Sequence, residues 1–183
     1  MLDRADGALA PAAELERGGY VLWDSRTAGN GARAGAGAGG ADADKADADK
    51  ADADGAGSDG KAAAGRLDAI LIATGAEVTP TLEAARALAA EGTHARVVSM
   101  PCMELFEAQP PEYRDAVLPP ETEARLAVEP GASQSWWRWV GTHGDVLGID
   151  RFGASAPGAR VLQELGFTAD NIAVRARALL KEN

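Results

Sequence analysis

The residues best placed to do chemistry stand where apolar runs end. Thr74-Gly75-Ala76-Glu77 follows the run LDAILIAT, Leu67–Thr74, and opens a helical pattern. In open α/β sheets, ligands sit beyond the carboxyl ends of strands, where helix N-termini offer unused N–H donors. One glycine is too few for a dinucleotide or phosphate fingerprint. Thr74 and Glu77 also have the spacing of a capping box, and capping is the preferred reading. Met100-Pro101-Cys102 closes the next apolar run. A nucleophilic cysteine requires a neighbouring base and a lowered pKa, which spacing alone does not supply, so a buried inert thiol is preferred. Thr74, Gly75, Glu77, Met100 and Cys102 together mark a strand-end cleft able to take a small ligand. His143, in VGTHGD, lies in a glycine-flanked turn that could present it, but no Ser–His–Asp order surrounds it.

Two further stretches invite a functional reading. In WWRWV, Trp136 and Trp139 share one helical face, while Trp137 and Val140 share another. Stacking on nucleobases favours interleaved positive charge, and only Arg138 is present. A helix with bulky apolar residues on two sides is expected to pack beyond its own sheet, so Trp136, Trp137, Trp139 and His143 form a candidate interface. The alternation ADADKADADKADADG, residues 41–55, resembles a calcium loop at first sight. With Gly55 at the obligatory sixth place, however, Lys50 and Lys61 fall where carboxylates must stand. It reads as a spacer.

Composition narrows the classes. At 183 residues and a net charge of −10, the chain can build one ordinary core but offers no basic surface for a phosphate backbone. Neither a signal-peptide pattern nor a membrane-length apolar run is present, and the expectation is a cytoplasmic domain with no nucleic-acid or membrane partner. One cysteine and two histidines argue against a disulfide framework and a thiolate or histidine metal cage.

The elements that must position these residues alternate. Strands are expected at Tyr20–Asp24, Leu67–Thr74, Ala95–Met100, Ala124–Glu129 and Asp145–Ile149. Helices are expected at Val78–Ala90, Glu112–Leu118, Ser133–Val140, about Ala159–Leu165 and about Thr168–Leu180, with Thr168 as N-cap. In the first of these helices, Leu82, Ala85, Leu88 and Ala89 share the apolar face. This alternation predicts a parallel sheet covered by helices on both faces. The first strand is joined to the second by a Gly, Ala and Asp-rich stretch, about residues 26–66, too poor in apolar side chains to order itself. No helical crossover is imposed there, so that strand could run antiparallel at an edge.

At the level of motifs the chain resembles the C-terminal domain of transketolases. The pieces are RGGYVLWD, LIATGAEV, ARVVSMPCMELFEAQPPEYRDAVLP, ARLAVEPG and IDRFGASAPGARVLQELGFTADNI, in that order. The most specific is FG-x-SAP leading to GFT-x-(D/E)-N-I. Departures are Ala76 for a usual serine, Pro130 for a usual alanine, the Thr142-His143 turn, and the long 26–66 insertion. The resemblance implies a three-layer α/β/α domain whose five-stranded mixed sheet has its first strand antiparallel and the rest parallel. It implies residues 1–17 as an interdomain linker remnant and 18–183 as the domain.

It also implies a parent homodimeric enzyme that moves a two-carbon ketol unit between sugar phosphates of the pentose phosphate pathway. That enzyme uses thiamine diphosphate and a divalent metal, Mg or Ca. The family's diphosphate motif, GDG followed by an asparagine pair, has no counterpart here, since SDGK lacks the pair. No catalytic, cofactor-binding or metal-ligating residue is therefore expected on this chain, and the remaining transketolase domains or subunit are its expected partners. Its work would be packing and dimer organisation. The alternative is a free-standing regulatory or ligand-binding module using the cleft near Thr74, Gly75, Met100 and Cys102.

Overall fold

A computed structural model describes residues 9–28 and 65–182. The ADADK repeat, most of the insertion and residues 1–8 lie outside the described residues. Strands are β1 (Tyr20–Asp24), β2 (Ala69–Ala73), β3 (Ala95–Ser99), β4 (Arg125–Val128) and β5 (Asp145–Leu147). Helices are α1 (Val78–Ala90), α2 (Met103–Glu107), α3 (Pro111–Val117), α4 (Trp137–Val140), α5 (Gly158–Glu164) and α6 (Ala169–Glu182). The five strands lie in the order β1-β3-β2-β4-β5, with β1 antiparallel to β3 and the other pairs parallel.

Two cores flank the sheet, because successive residues of a strand point to opposite faces. Leu71, Ala73, Val97, Leu126, Val128 and Leu147 meet α1 and α6 on one face. Ile70, Ile72, Val98, Ala127 and Val146 meet Phe106, Val117, Trp136 and Trp139 on the other. The strands are buried on both sides, as parallel strands under helical cover must be. In β1 the register shifts between Val21 and Trp23. This bulge sends both Leu22 and Trp23 into the α1/α6 core.

The helix expected over Val78–Ala90 forms with those bounds, burying Val78, Thr81, Leu82, Ala84, Ala85 and Leu88. Thr168 caps α6, its Oγ1 accepting the Asn171 N–H at 3.3 Å. The expected helix Ser133–Val140 is instead a 3-10 turn, Ser133–Ser135, followed by the single turn of α4, which Gly141, at φ 75°, ends. Sequence pattern gave no sign of α2, whose five residues are too few for a period. Phe106, wholly buried, anchors it beneath Gly19, where a Cβ would stand 2.8 Å from the Phe106 ring. Gly18, at φ 77°, closes the turn into β1, and a Cβ there would overlap the Cys102 carbonyl.

The segment preceding β1 is docked on the domain. Leu9 is buried in the α1/α6 core, the Ala10 N–H donates to the Leu22 carbonyl at 2.9 Å, and Ala12–Arg17 form a 3-10 helix. Across the insertion, Arg26 Nη1 donates to the Gly65 carbonyl at 3.3 Å, so the two flanks of residues 29–64 lie within one side chain's reach.

A buried ion pair and arginines that donate to backbone carbonyls tie the elements together. Asp24 and Arg96 are paired in register between β1 and β3, with Arg96 Nε donating to Asp24 Oδ2 at 2.9 Å. Arg96 Nη1 also donates to the carbonyls of Ala116 and Val117, at 2.7 and 2.9 Å, and so holds the end of α3. Burial works to raise the Asp24 pKa, but hydrogen bonds from Arg26 and Arg96 outweigh it and hold the carboxyl below its ordinary value. Arg125 donates to carbonyls of Leu118, Pro119, Thr122 and Trp139, fastening α4 to the loop before β4.

Candidate functional site

The carboxyl ends of β2 and β4 form the sheet's switch point. The connection from β2 runs through α1 to β3 on one side, whereas that from β4 runs through α4 to β5 on the other. Such a divergence opens a crevice at the strand ends. Thr74 continues β2 in extended conformation, and Gly75, at φ 59°, turns the chain into the short 3-10 segment Gly75–Glu77. That left-handed geometry strains any residue with a Cβ, which is why glycine stands there. The capping box is not formed: Thr74 makes no side-chain cap bond, and the Glu77 side chain is buried instead of reaching back.

Glu129, the residue after β4, stands at this switch point. Register pairs Ala73 with Val128, so Thr74 and Glu129 leave the sheet side by side. Burial pushes the Glu129 carboxyl above its ordinary value, and the charge of Glu77 pushes it further. Its buried Oε2 has no hydrogen-bond partner among the described residues. Sequence reasoning missed Glu129, since the signal is the neighbourhood of β2 and β4, which strand order alone creates. Two carboxylates so placed can hold a proton or receive a cationic group. Whichever of them holds a proton, they present acceptor oxygens and no cation, so this pair does not fit the diphosphate of thiamine diphosphate.

The structure separates the other expected cleft residues. The Met100 N–H donates to the Ala73 carbonyl at 2.9 Å, but the Met100 side chain is 1% exposed within the core that holds Phe106. Cys102 is part-exposed, not buried as expected. Its N–H donates to the Gly18 carbonyl at 3.0 Å, and its Sγ–H to Glu104 Oε2 at 3.4 Å. It belongs to the junction of β1 and α2, where its partners are Gly18 and Glu104.

The candidate interface also divides. Trp136 and Trp139, 3% and 7% exposed, are core residues of the domain itself, with Trp139 tilted against Phe106 at a ring separation of 5.2 Å. Trp137, 46% exposed, alone of the three faces outward. The amphipathic count placed Trp136 and Trp139 together correctly, but α2, invisible in the sequence, supplies the Phe106 ring against which Trp139 packs. His143 is exposed in the turn before β5, at the opposite end of the sheet from Thr74. Among the described residues no group of three or more His, Cys, Asp or Glu side chains could hold a metal ion, and no helix is long and apolar enough to cross a membrane.

The architecture is a three-layer α/β domain with one antiparallel edge strand and two glutamates, Glu77 and Glu129, at its switch point. Residues 59–168 match the family described as the transketolase-like TK C-terminal domain, and the chain belongs to that family. It is 57% identical over 116 residues to a transketolase of Geobacillus stearothermophilus, covering 63% of this chain and 17% of that one. With transketolase 2 of Escherichia coli the identity is 47%, again over 63% of this chain and 17% of the relative. Among solved structures, transketolase from Leishmania mexicana superposes with a TM-score of 0.59 at 39% identity, covering 63% of this chain and 17% of that one. The H261F transketolase of Pichia stipitis gives a TM-score of 0.65 at 25% identity, over 96% of this chain and 20% of its counterpart. The chain thus spans about a sixth of the length of the transketolases it matches.

Proposed function

We propose that this chain serves as the C-terminal domain of a transketolase, packing against the remainder of that enzyme and organising its dimer. The parent reaction is transfer of a two-carbon ketol unit between sugar phosphates. Thiamine diphosphate, with its divalent metal, supplies the carbanion chemistry when bound to the other domains. The observation that carries this reading is the family match combined with its extent, since the chain corresponds to only 17% of a related transketolase. The chemistry of the domain supports it. The buried groups Asp24 and Arg96 and the half-buried Arg125 are engaged with the domain's own backbone and strands.

The reading is tested by removing the matching C-terminal segment from the Geobacillus stearothermophilus transketolase and adding this chain back. Ketol transfer from xylulose 5-phosphate to ribose 5-phosphate is expected from the mixture and not from the chain alone. Turnover by the purified chain alone would overturn the proposal.

A further inference from the structure

The chain has three phenylalanines, and they behave oppositely. Phe106 and Phe167 are 0% and 5% exposed, while Phe152 is 98% exposed. Phe152 lies in the connection from β5 to α5, and every residue from Arg151 through Arg160, in the first turn of α5, is exposed. That stretch reads RFGASAPGAR, so five of its ten side chains are the apolar Phe152, Ala154, Ala156, Pro157 and Ala159. An aromatic ring wholly in water gives this domain nothing, and a contiguous exposed apolar patch marks a contact surface.

The glycines of the same stretch point the same way. Gly153 and Gly158 do not have positive φ, and a Cβ added at either would meet nothing within 4 Å. Neither the backbone conformation nor the packing of this domain calls for glycine there. A neighbour lying close against the loop would. Arg151 and Arg160 bracket the apolar run, giving it a cationic rim on an otherwise acidic chain. The loop leaves the β5 edge of the sheet, whereas the segment before β1 docks at the opposite edge, so this surface is separate from the one at which Leu9–Arg17 are seated.

Resting on the function proposed above, we infer that Arg151–Arg160 is the surface by which this domain docks onto the rest of a transketolase. Phe152 inserts into an apolar socket, and Arg151 and Arg160 meet carboxylates at its rim. The occupant is that remainder because the chain spans only 17% of the length of its relative, and the loop lies within the segment that matches the family. Central aromatic anchors with a charged rim carry most of the affinity in such contacts.

The test titrates the full chain and its variants into the Geobacillus stearothermophilus transketolase lacking the matching segment. Phe152→Ala and Arg160→Glu are each expected to weaken binding at least about tenfold while leaving the chain's own thermal midpoint unchanged. Val174→Ala, at an exposed site on α6, is expected to bind like the unaltered chain. In a second measurement the chain is fused in place of that enzyme's own C-terminal segment, and Phe152→Ala should lower the thermal midpoint of the fusion but not of the free chain. Binding by Phe152→Ala within twofold of the unaltered chain, with no effect in the fusion, overturns the docking surface and leaves the proposed function standing. Failure of the unaltered chain to bind, together with an inactive fusion, overturns the proposed function itself. Self-association of the chain that Phe152→Ala abolishes would make a second copy the occupant and would also overturn the inference.

Discussion

Replacing Trp139 by alanine separates a core role from an interface role. Its indole is 7% exposed, stands 5.2 Å from the Phe106 ring, and lies under the Arg138 guanidinium at 4.9 Å. Removing so large a buried ring costs about 3–5 kcal/mol, against a total of about 5–15 kcal/mol for an ordinary domain. At roughly 3 °C per kcal/mol for a domain of this size, the thermal midpoint should fall by about 10 °C or more. Trp137, half exposed, should change stability by no more than about 0.5 kcal/mol when truncated in the same way. Trp139→Phe adds a third point. It keeps the aryl contact with Phe106 and deletes an Nε1–H that has no acceptor among the described residues, so it should be much milder than alanine. The assay is thermal and urea unfolding of the full chain followed by near-ultraviolet circular dichroism. Equal small shifts for Trp139→Ala and Trp137→Ala would refute the core assignment, as would a Trp139→Phe variant no more stable than the alanine one.

Three other outcomes are expected. Glu129 has a raised folded-state pKa, so its ionisation opposes folding, and its contribution is lost as pH rises through that value; Glu129→Gln should therefore raise the thermal midpoint at pH 7 but not at pH 4. Asp24 has the opposite sign. Its folded-state pKa is depressed, so its contribution is full above the ordinary aspartate value of 3.8 and is lost as pH falls through the folded-state value. Asp24→Asn should thus flatten the acid limb of the stability–pH curve, and an unchanged limb would count against the pairing with Arg96. Finally, replacing residues 29–64 by a short turn should leave the melting transition cooperative, because Arg26 already reaches the Gly65 carbonyl. Loss of soluble folded protein would show that the insertion is required.

Much of the fold was legible because its signals are local. YVLWD, LDAILIAT and ARVVSM are apolar runs bounded by glycine or proline, and they became β1, β2 and β3 within a residue or two of their expected ends. The 3.6-residue period of Val78–Ala90 was enough to give α1 its bounds and its buried face. The α2 helix was not legible, since one and a half turns carry no period, and its stability comes from burying Phe106. The candidate site was legible at Thr74, Gly75 and Glu77, where strand end and helix start are adjacent in sequence. Cys102 was misplaced because the position of a thiol after a strand says nothing of which neighbour it turns to; here that neighbour is Glu104, beside the Gly18 turn.

By itself, then, the sequence determined the five strands and the longer helices, that β1 was free of a helical crossover, and which motifs placed the chain near the transketolases. Those properties depend on side-chain period, glycine and proline punctuation, and short spacings. Tertiary structure alone decided what faces what. It brought Glu129 to Glu77 by setting β4 beside β2, paired Asp24 with an arginine 72 residues away, and packed Phe106 of α2 against Trp139. It left Phe152 uncovered. Burial and electrostatic environment are sums over neighbours distant in the chain, and only the folded arrangement supplies those neighbours.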